Sequence, residues 1–262
     1  MMAAVDSTVG RIHAHLASIG AGALTLCKPA YFERRLRSRW RACGVVDLES
    51  YADLLDRDAA ERSRLAAALT INVTGFFRNP TAWAALGRAL VWPADRPLMA
   101  WSAGCATGEE AWSLAALLWR QRPEPGAWQV EATDLDAPSL AVALRGRYPL
   151  AVRAAVAAVV PEAPLVVDAD GVSMPEAWRS RLRFRQADLT RPGATSGADL
   201  ILCRNVLIYF AEAAQDAILT SLVDALHPGG LLMLGKAELA AWAVLPRLET
   251  VDRRERIYRR VR

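Results

Sequence analysis

The amino-acid sequence predicts an α/β protein: a doubly wound, mostly parallel sheet closed by a C-terminal antiparallel hairpin and preceded by a small all-α domain. Three observations carry this. The first eighty or so residues show helical periodicity and no alternating strand pattern. From Pro97 onward, short apolar runs alternate with helical segments, the rhythm of a parallel sheet with helices on both faces. The last stretch, Pro246 to Arg262, has no helical period and carries apolar residues on either side of a polar turn.

Each element follows from its residues. Phe32, Leu36, Trp40 and Cys43 recur at four-and-three spacing and form one stripe of a helix, at about 100° per residue. Arg34, Arg37 and Arg41 fall on the opposite side, with Arg35 and Arg39 flanking the stripe, so the helix has a basic outer face. Asp47 is the expected N-cap of a second helix through Tyr51, Leu54 and Leu55, and a third runs from about Ala59 to Leu69. Pro97 to Trp101 then reads as a strand, Ser102 to Gly108 as a small-residue loop, and Glu109 opens a helix carrying Trp112, Leu114, Ala115, Leu118 and Trp119. A second strand, Trp128 to Thr133, ends at Asp134 and leads to a helix with Leu140, Val142 and Leu144. Further strands are expected at Leu182–Ala187, Asp199–Cys203 and Leu231–Leu234, with a helix from about Glu212 to Leu226. The closing hairpin brackets Asp252–Glu255 between Leu248/Thr250 and Ile257/Tyr258. A doubly wound sheet finished in this way fits class I methyltransferases better than dinucleotide dehydrogenases. The division expected is a helical domain with its linker over 1–78 and an α/β domain over 79–262. A short insert falls at about 150–181, where only one hairpin is expected, Leu165–Val167 with Val172–Met174.

Composition sets the outer limits. A chain of 262 residues that is 53% apolar can bury a substantial core. No run approaches the roughly eighteen apolar residues of a membrane span, and the start lacks a basic-then-apolar leader. No membrane insertion and a cytoplasmic location are therefore expected. Cys27, Cys43, Cys105 and Cys203 show no paired spacing and the histidines His13, His15 and His227 are dispersed, so no metal site is expected. The net charge of +4 permits an acidic partner and by itself decides little.

The chemistry concentrates where ligands bind in such sheets, beyond the strand C-termini. The loop from Ser102 to Gly108 has small residues that let a ligand approach the backbone, but its glycines lack the pyrophosphate-binding spacing. The helix after it begins with Glu109 and Glu110, which repel a pyrophosphate and suit an ammonium or sulfonium. Both acids also suit a helix N-terminus for purely local reasons. Asp134 is placed to accept from ribose hydroxyls, or to cap the next helix. Pattern alone leaves the segment Cys203–Phe210 open, with Arg204 and Asn205 read either as site residues or as a turn at the sheet edge.

Several stretches taken together resemble the chemotaxis receptor methyltransferase (CheR) family, in matching order from about Ser18 to Gly235. They are Leu69-Thr70-Ile71-Asn72-Val73-Thr74-Gly75-Phe76-Phe77-Arg78, Thr107-Gly108-Glu109-Glu110, Ala132-Thr133-Asp134-Leu135-Asp136, Cys203 through Phe210, and Leu234-Gly235-Lys236-Ala237-Glu238. The resemblance implies S-adenosylmethionine as methyl donor, with S-adenosylhomocysteine as product, and contacts to it from Asn72, Thr74, Arg78, Glu110, Asp134, Asp188, Leu189, Asn205 and Val206. It implies that Arg78 and Tyr209 serve methyl transfer, and that the basic helix, through Arg34, Arg37 and Arg41, faces the partner. That partner is an acidic helical cytoplasmic region of a chemoreceptor or similar signalling protein. The sequence departs from the family at Asp188, where asparagine is usual, at Lys236, where histidine is usual, and in the short insert, which in some members grips a receptor tail.

The function expected is methyl esterification of glutamate side chains on that partner. Glutamate is already ionised at neutral pH, so no general base is required and the lack of a nucleophile–base pair is consistent. Two alternatives share the cofactor. One is methyl transfer to a small molecule or nucleic acid, although no aromatic platform accompanies the arginines and nucleic acid is not the expected partner. The other is a non-catalytic signalling module that binds the cofactor.

Overall fold

The computed structural model describes residues 2–191, 193, 195–241 and 243–261, with side chains from residue 7 onward. By packing, the chain divides into two compact units. One comprises Met1–Ile71 with Tyr209–Ala214, and the other comprises Asn72–Ile208 with Gln215–Arg262.

The first unit is helical: α1 (Met2–Ser18), a 3-10 turn at Gly22–Leu26, α2 (Pro29–Ala42), α3 (Leu48–Arg57) and α4 (Ala59–Leu69). Its core gathers Ile12, Leu16, Phe32, Leu36, Tyr51, Leu55, Leu65 and Leu69, each buried. The stripe read on α2 turns inward at Phe32 and Leu36, while Trp40 and Cys43 are half-buried. The expected cap forms at Asp47, which accepts from the Ser50 amide at 2.8 Å, and Asp58 caps α4 in the same way, accepting from the Glu61 amide at 3.0 Å. Glu61 is buried and takes the Arg39 guanidinium as a fork, at 2.6 and 2.5 Å, together with the Tyr51 hydroxyl at 2.9 Å. Arg35 is likewise tied inward, its Nε donating to the Ala68 carbonyl at 2.6 Å. The segment Tyr209–Ala214 packs here: the Lys28 amide donates to the Tyr209 carbonyl and the Ala211 amide to the Leu26 carbonyl, each at 2.9 Å.

The second unit is a seven-stranded sheet with helices. Its strands are β1 (Leu98–Ala103), β2 (Trp128–Asp134), β6 (Leu182–Gln186), β7 (Ala198–Cys203), β8 (Leu226–Leu234), β9 (Leu248–Asp252) and β10 (Ile257–Arg260). Across the sheet they run β6-β2-β1-β7-β8-β10-β9. The first five are parallel, and β10 turns antiparallel to β8 and to β9. This is the doubly wound sheet with a closing hairpin that the periodicity anticipates. Its helices are α5 (Pro80–Ala89), α6 (Glu109–Gln121), α7 (Ala137–Arg145) and α10 (Glu212–Ala225), whose first three residues belong by packing to the helical unit. Every residue of α6 from Glu110 to Leu118 is buried, and apart from Glu110 and Ser113 the stretch is apolar on all sides rather than amphipathic.

Three boundaries differ from the reading of the sequence. First, β1 continues through Ser102 and Ala103, which pair with Ala132 and Thr133, so the loop begins at Gly104. Second, β8 starts at Leu226 rather than Leu231. Ala198 pairs with Leu226 and Leu200 with Leu231, so His227 to Gly230 bulge out of the ladder. Third, the insert holds more than a hairpin. The expected pair, seen as β4 (Val166–Asp168) and β5 (Gly171–Ser173), gains a third strand, β3 (Arg147–Tyr148), beside β5. Arg147 fixes that strand by donating to the Asp168 carboxylate at 2.9 and 2.6 Å. Two short helices, α8 (Ala151–Ala157) and α9 (Glu176–Arg179), flank this small sheet.

Candidate cofactor site

The order of the sheet reverses between β1 and β7, and the turns leaving these two strands therefore diverge around a switch point. After β1 the chain makes a left-handed step at Gly104, φ +80°, where an added Cβ would lie 2.5 Å from Val206 Cγ2. Only glycine lets the two turns approach this closely. The amides of Gly104 and Cys105 both donate to the Thr133 carbonyl, at 2.8 and 3.0 Å, which sets the loop against the end of β2.

At that end Asp134 is half-exposed. Its Oδ2 accepts from the Ala106 amide at 2.7 Å and its Oδ1 from the Asp136 amide at 2.9 Å. Burial pushes the Asp134 carboxyl up against the lowering effect of these amides. The side chain that caps α7 is Asp136, not Asp134, and it accepts from the Ser139 amide at 3.1 Å. Asp136 also receives Asn72 Nδ2 at 2.8 Å, so Asn72 meets the Asp134 turn through it. The segment after β6 lies alongside, the Ala187 amide donating to the Asp134 carbonyl at 2.9 Å. There Asp188 folds on itself, accepting the Thr190 amide at 2.8 Å and hydroxyl at 2.6 Å, with Arg191 at 3.4 Å, and Leu189 is half-buried. The extra negative charge expected at Asp188 is thus met locally.

Glu110 is buried at the first turn of α6. Its Oε1 accepts from Ser102 Oγ at 2.9 Å and its Oε2 lies 3.4 Å from Arg204 Nη1. Burial pushes its carboxyl up, and Arg204 and Ser102 oppose the shift. Arg204 is buried at the end of β7 and also donates through Nη2 to the Arg78 carbonyl at 2.9 Å and to Asn79 Oδ1 at 3.1 Å. Arg78 itself is exposed, and its Nη1 donates to the Val73 carbonyl at 3.1 Å. Thr74 in the same loop is half-buried.

The turn after Arg204 is held by Glu238, which sequence reasoning quoted in a motif without giving it a role. Its buried carboxylate accepts four backbone amides: Asn205 at 2.9 Å, Val206 and Leu207 at 2.8 Å, and Gly235 at 2.6 Å. Asn205 adopts φ +60°, a conformation tolerated best by asparagine among residues with a side chain. Position 235 must be glycine, because a Cβ there would stand 2.6 Å from Glu238 Oε2 and 2.8 Å from the Asn205 amide. The signal that could have exposed Arg204 and Glu238 is a charged side chain following an apolar run, directly after Leu200–Cys203 at Arg204 and shortly after Leu231–Leu234 at Glu238. Lys236 lies 3.2 Å from the buried Glu255 and 3.4 Å from Thr81 Oγ1.

The structure brings Asn72, Glu110, Asp134, Asn205, Val206 and the Arg78 backbone together around the ends of β1, β2 and β7, and places Asp188 and Leu189 beside them. Tyr209 belongs to the helical unit, its ring 5.2 Å from that of Tyr31. Arg34, Arg37 and Arg41 are exposed on α2 of the helical unit, around a shallow depression shared with Ala30, Glu33 and Ser38.

The donor set answers which nucleotide fits. Two carboxylates at the ends of β1 and β2 match an ammonium and a ribose diol and would repel a pyrophosphate, and no arginine or lysine points at the Gly104–Gly108 loop among the contacts described. Fold and donor set together suit a doubly wound methyltransferase taking S-adenosylmethionine. The sequence narrows the class further. Residues 72–251 match the family model described as CheR methyltransferase, SAM binding domain, and residues 23–70 match CheR methyltransferase, all-alpha domain. The chain belongs to the CheR methyltransferase family. It is 31% identical over 219 residues to a chemotaxis protein methyltransferase of Listeria innocua, covering 82% of this chain and 83% of that one. It is 33% identical over 214 residues to a probable biofilm formation methyltransferase, WspC, of Pseudomonas putida, covering 79% of this chain and 50% of that one. It is also 31% identical over 244 residues to an uncharacterized 104.1 kDa protein of Rhodobacter capsulatus, covering 90% of this chain but 26% of the relative. The chain thus spans most of some relatives and a fraction of others. No helix among the described residues is long and apolar enough to cross a membrane.

Proposed function

We propose that the protein methylates glutamate side chains on an acidic helical region of a chemoreceptor or similar signalling protein in the cytoplasm. The observation that carries this reading is the state of Arg78: its backbone is fixed beside the candidate site while its guanidinium stays exposed. A planar cation in that position suits one oxygen of an acceptor carboxylate and leaves the other oxygen to attack.

When bound, S-adenosylmethionine supplies an electrophilic methyl group on a sulfonium. Glu110 would hold its ammonium and Asp134 its ribose diol, with Asn72, Thr74, Arg78, Asp188, Leu189 and the Asn205–Val206 backbone completing the cradle. Because the acceptor carboxylate is already ionised, the protein's task is to orient it and exclude water, and no side chain has to move a proton. Tyr209 retains, as part of the same proposal, the role in methyl transfer that the family resemblance gives it. On the helical unit, Arg34, Arg37 and Arg41 present an exposed basic face, while Arg35 and Arg39 are occupied by internal partners. That division suits attraction of an acidic helix, with an on-rate that falls as salt rises.

The test is incubation with methyl-labelled S-adenosylmethionine and cytoplasmic fragments of several receptors. Base-labile methyl ester on glutamate is the expected product. Labelled product stable to mild base, or none on any receptor fragment, overturns the reading.

A further inference from the structure

We propose that Arg204 is a positioning residue that couples the two halves of the candidate site, pairing with the Glu110 carboxylate on one side and holding the Arg78 turn on the other. This deepens the proposed function and rests on it.

The geometry singles Arg204 out. Its side chain is 2% exposed, with Nη1 toward Glu110 and Nη2 shared between the Arg78 carbonyl and Asn79 Oδ1. The guanidinium lies 5.7 Å from the Trp83 ring centroid, and its Nε has no hydrogen-bond partner among the described residues. A buried cation tolerates an unmet donor only when its remaining contacts outweigh the cost.

Both things it touches need it. The Arg78 turn is strained: Phe77 at φ +48° and Asn79 at φ +63° place two non-glycine residues in the left-handed region on either side of Arg78. Several bonds hold that shape. Arg204 and Trp83 Nε1 both donate to the Arg78 carbonyl, the latter at 3.1 Å, and the Phe77 amide donates to Ser113 Oγ at 2.8 Å. Glu110, for its part, is buried among groups that do not favour a second negative charge. Glu238 acts on it as a like charge, and the Cys105 and Cys203 thiols nearby are pushed well up by burial, so they stay neutral. Glu109 is its neighbour on α6, and Asp134 stands at the end of the next strand. Among the described residues Arg204 is the cation paired with Glu110. Its fork does two jobs that a point charge does not: Lys can neutralise Glu110 but cannot reach both Glu110 and the Arg78 carbonyl in a fixed plane.

The experiment compares the wild-type protein with Arg204→Lys and Arg204→Met. Three quantities are measured: S-adenosylhomocysteine affinity by calorimetry across neutral to acid pH, the carboxyl carbon-13 titration of Glu110 without ligand, and kcat and KM with a methyl-accepting receptor fragment. Arg204→Met should displace the Glu110 titration to higher pH and weaken S-adenosylhomocysteine on the order of tenfold at pH 7, with a steeper loss toward acid. Arg204→Lys should keep a near wild-type pH profile while kcat falls on the order of tenfold or more, because the Arg78 turn is no longer held. Trp178→Phe, a buried change in α9, supplies a destabilised control whose pH profile should not move. A wild-type pH profile and Glu110 titration in Arg204→Met overturn the proposal while leaving the cofactor reading intact. Wild-type protein that binds no S-adenosylhomocysteine overturns both.

Discussion

Glu238 offers the sharpest test of how the site is held. Four backbone amides from two separate strand ends converge on one buried carboxylate, two on each oxygen. Glu238→Gln preserves the shape but turns an amide NH2 toward two of these donors. Hydrogen bonds to a charged partner contribute about 1.5–3 kcal/mol each, and a donor left buried without a partner costs about 1–3 kcal/mol. Two lost bonds therefore predict roughly 3–6 kcal/mol of destabilisation, at the upper end for a single substitution. Flipping the amide cannot rescue the variant, because each carboxylate oxygen accepts two of the four amides and a flip only exchanges which pair is lost. At about 2–4 °C per kcal/mol for a chain of this size, melting should fall by roughly 10 °C. Scanning calorimetry with and without S-adenosylhomocysteine measures both the loss and its consequence, since the Asn205 turn can no longer present its backbone. A Glu238→Gln protein that loses less than about 1 kcal/mol and binds S-adenosylhomocysteine as tightly as wild type refutes the reasoning.

Three further outcomes follow from separate parts of the molecule. Gly104→Ala forces a Cβ into a left-handed residue and to 2.5 Å from Val206, so ligand affinity should fall at least about tenfold with a stability loss of about 1–3 kcal/mol; unchanged calorimetric binding contradicts the close-approach account. In the helical unit, burial works to raise the Glu61 carboxyl, but the bonds from Arg39, Tyr51, Cys43 and Arg64 win and hold it down to about 2, from 4.5. A carboxylate depressed in the folded state stabilises fully above its unfolded pKa and loses that stability as pH falls through the folded one, so about 3 kcal/mol should disappear between roughly pH 4.5 and 2. Circular dichroism at graded pH should show a flatter acid slope in Glu61→Gln; an identical slope excludes the pair as its source. Reversing Arg34, Arg37 and Arg41 to glutamate should slow association with an acidic receptor fragment by tenfold or more at low salt and invert its salt dependence, the rate then rising as salt screens the repulsion, while stability stays within about 1 kcal/mol of wild type, because all three are exposed. Stopped-flow association rates across a salt series decide this.

The sequence by itself determined the class of fold, because periodicity is a local signal. The stripe Phe32–Leu36, the cap Asp47, the alternation of strand and helix after Leu98 and the closing hairpin all depend on residues a few positions apart. The positions of the two carboxylates of the candidate site were also legible, Glu110 at a helix start and Asp134 at a strand end, since each position follows from its own element. Tertiary structure alone decided what these groups meet. Nothing local says that Glu238 gathers amides from a turn more than thirty residues earlier, or that Arg204 reaches both Glu110 and the Arg78 carbonyl, because those contacts exist only once β1, β7 and β8 lie side by side. The third strand of the insert was hidden for the same reason: Arg147 and Tyr148 are too short a run to show a pattern and become a strand only by pairing with β5. Desolvation is likewise a property of the packed state. Whether Glu110 is an exposed helix acid or a buried carboxylate needing a cation was settled when the sheet closed around it.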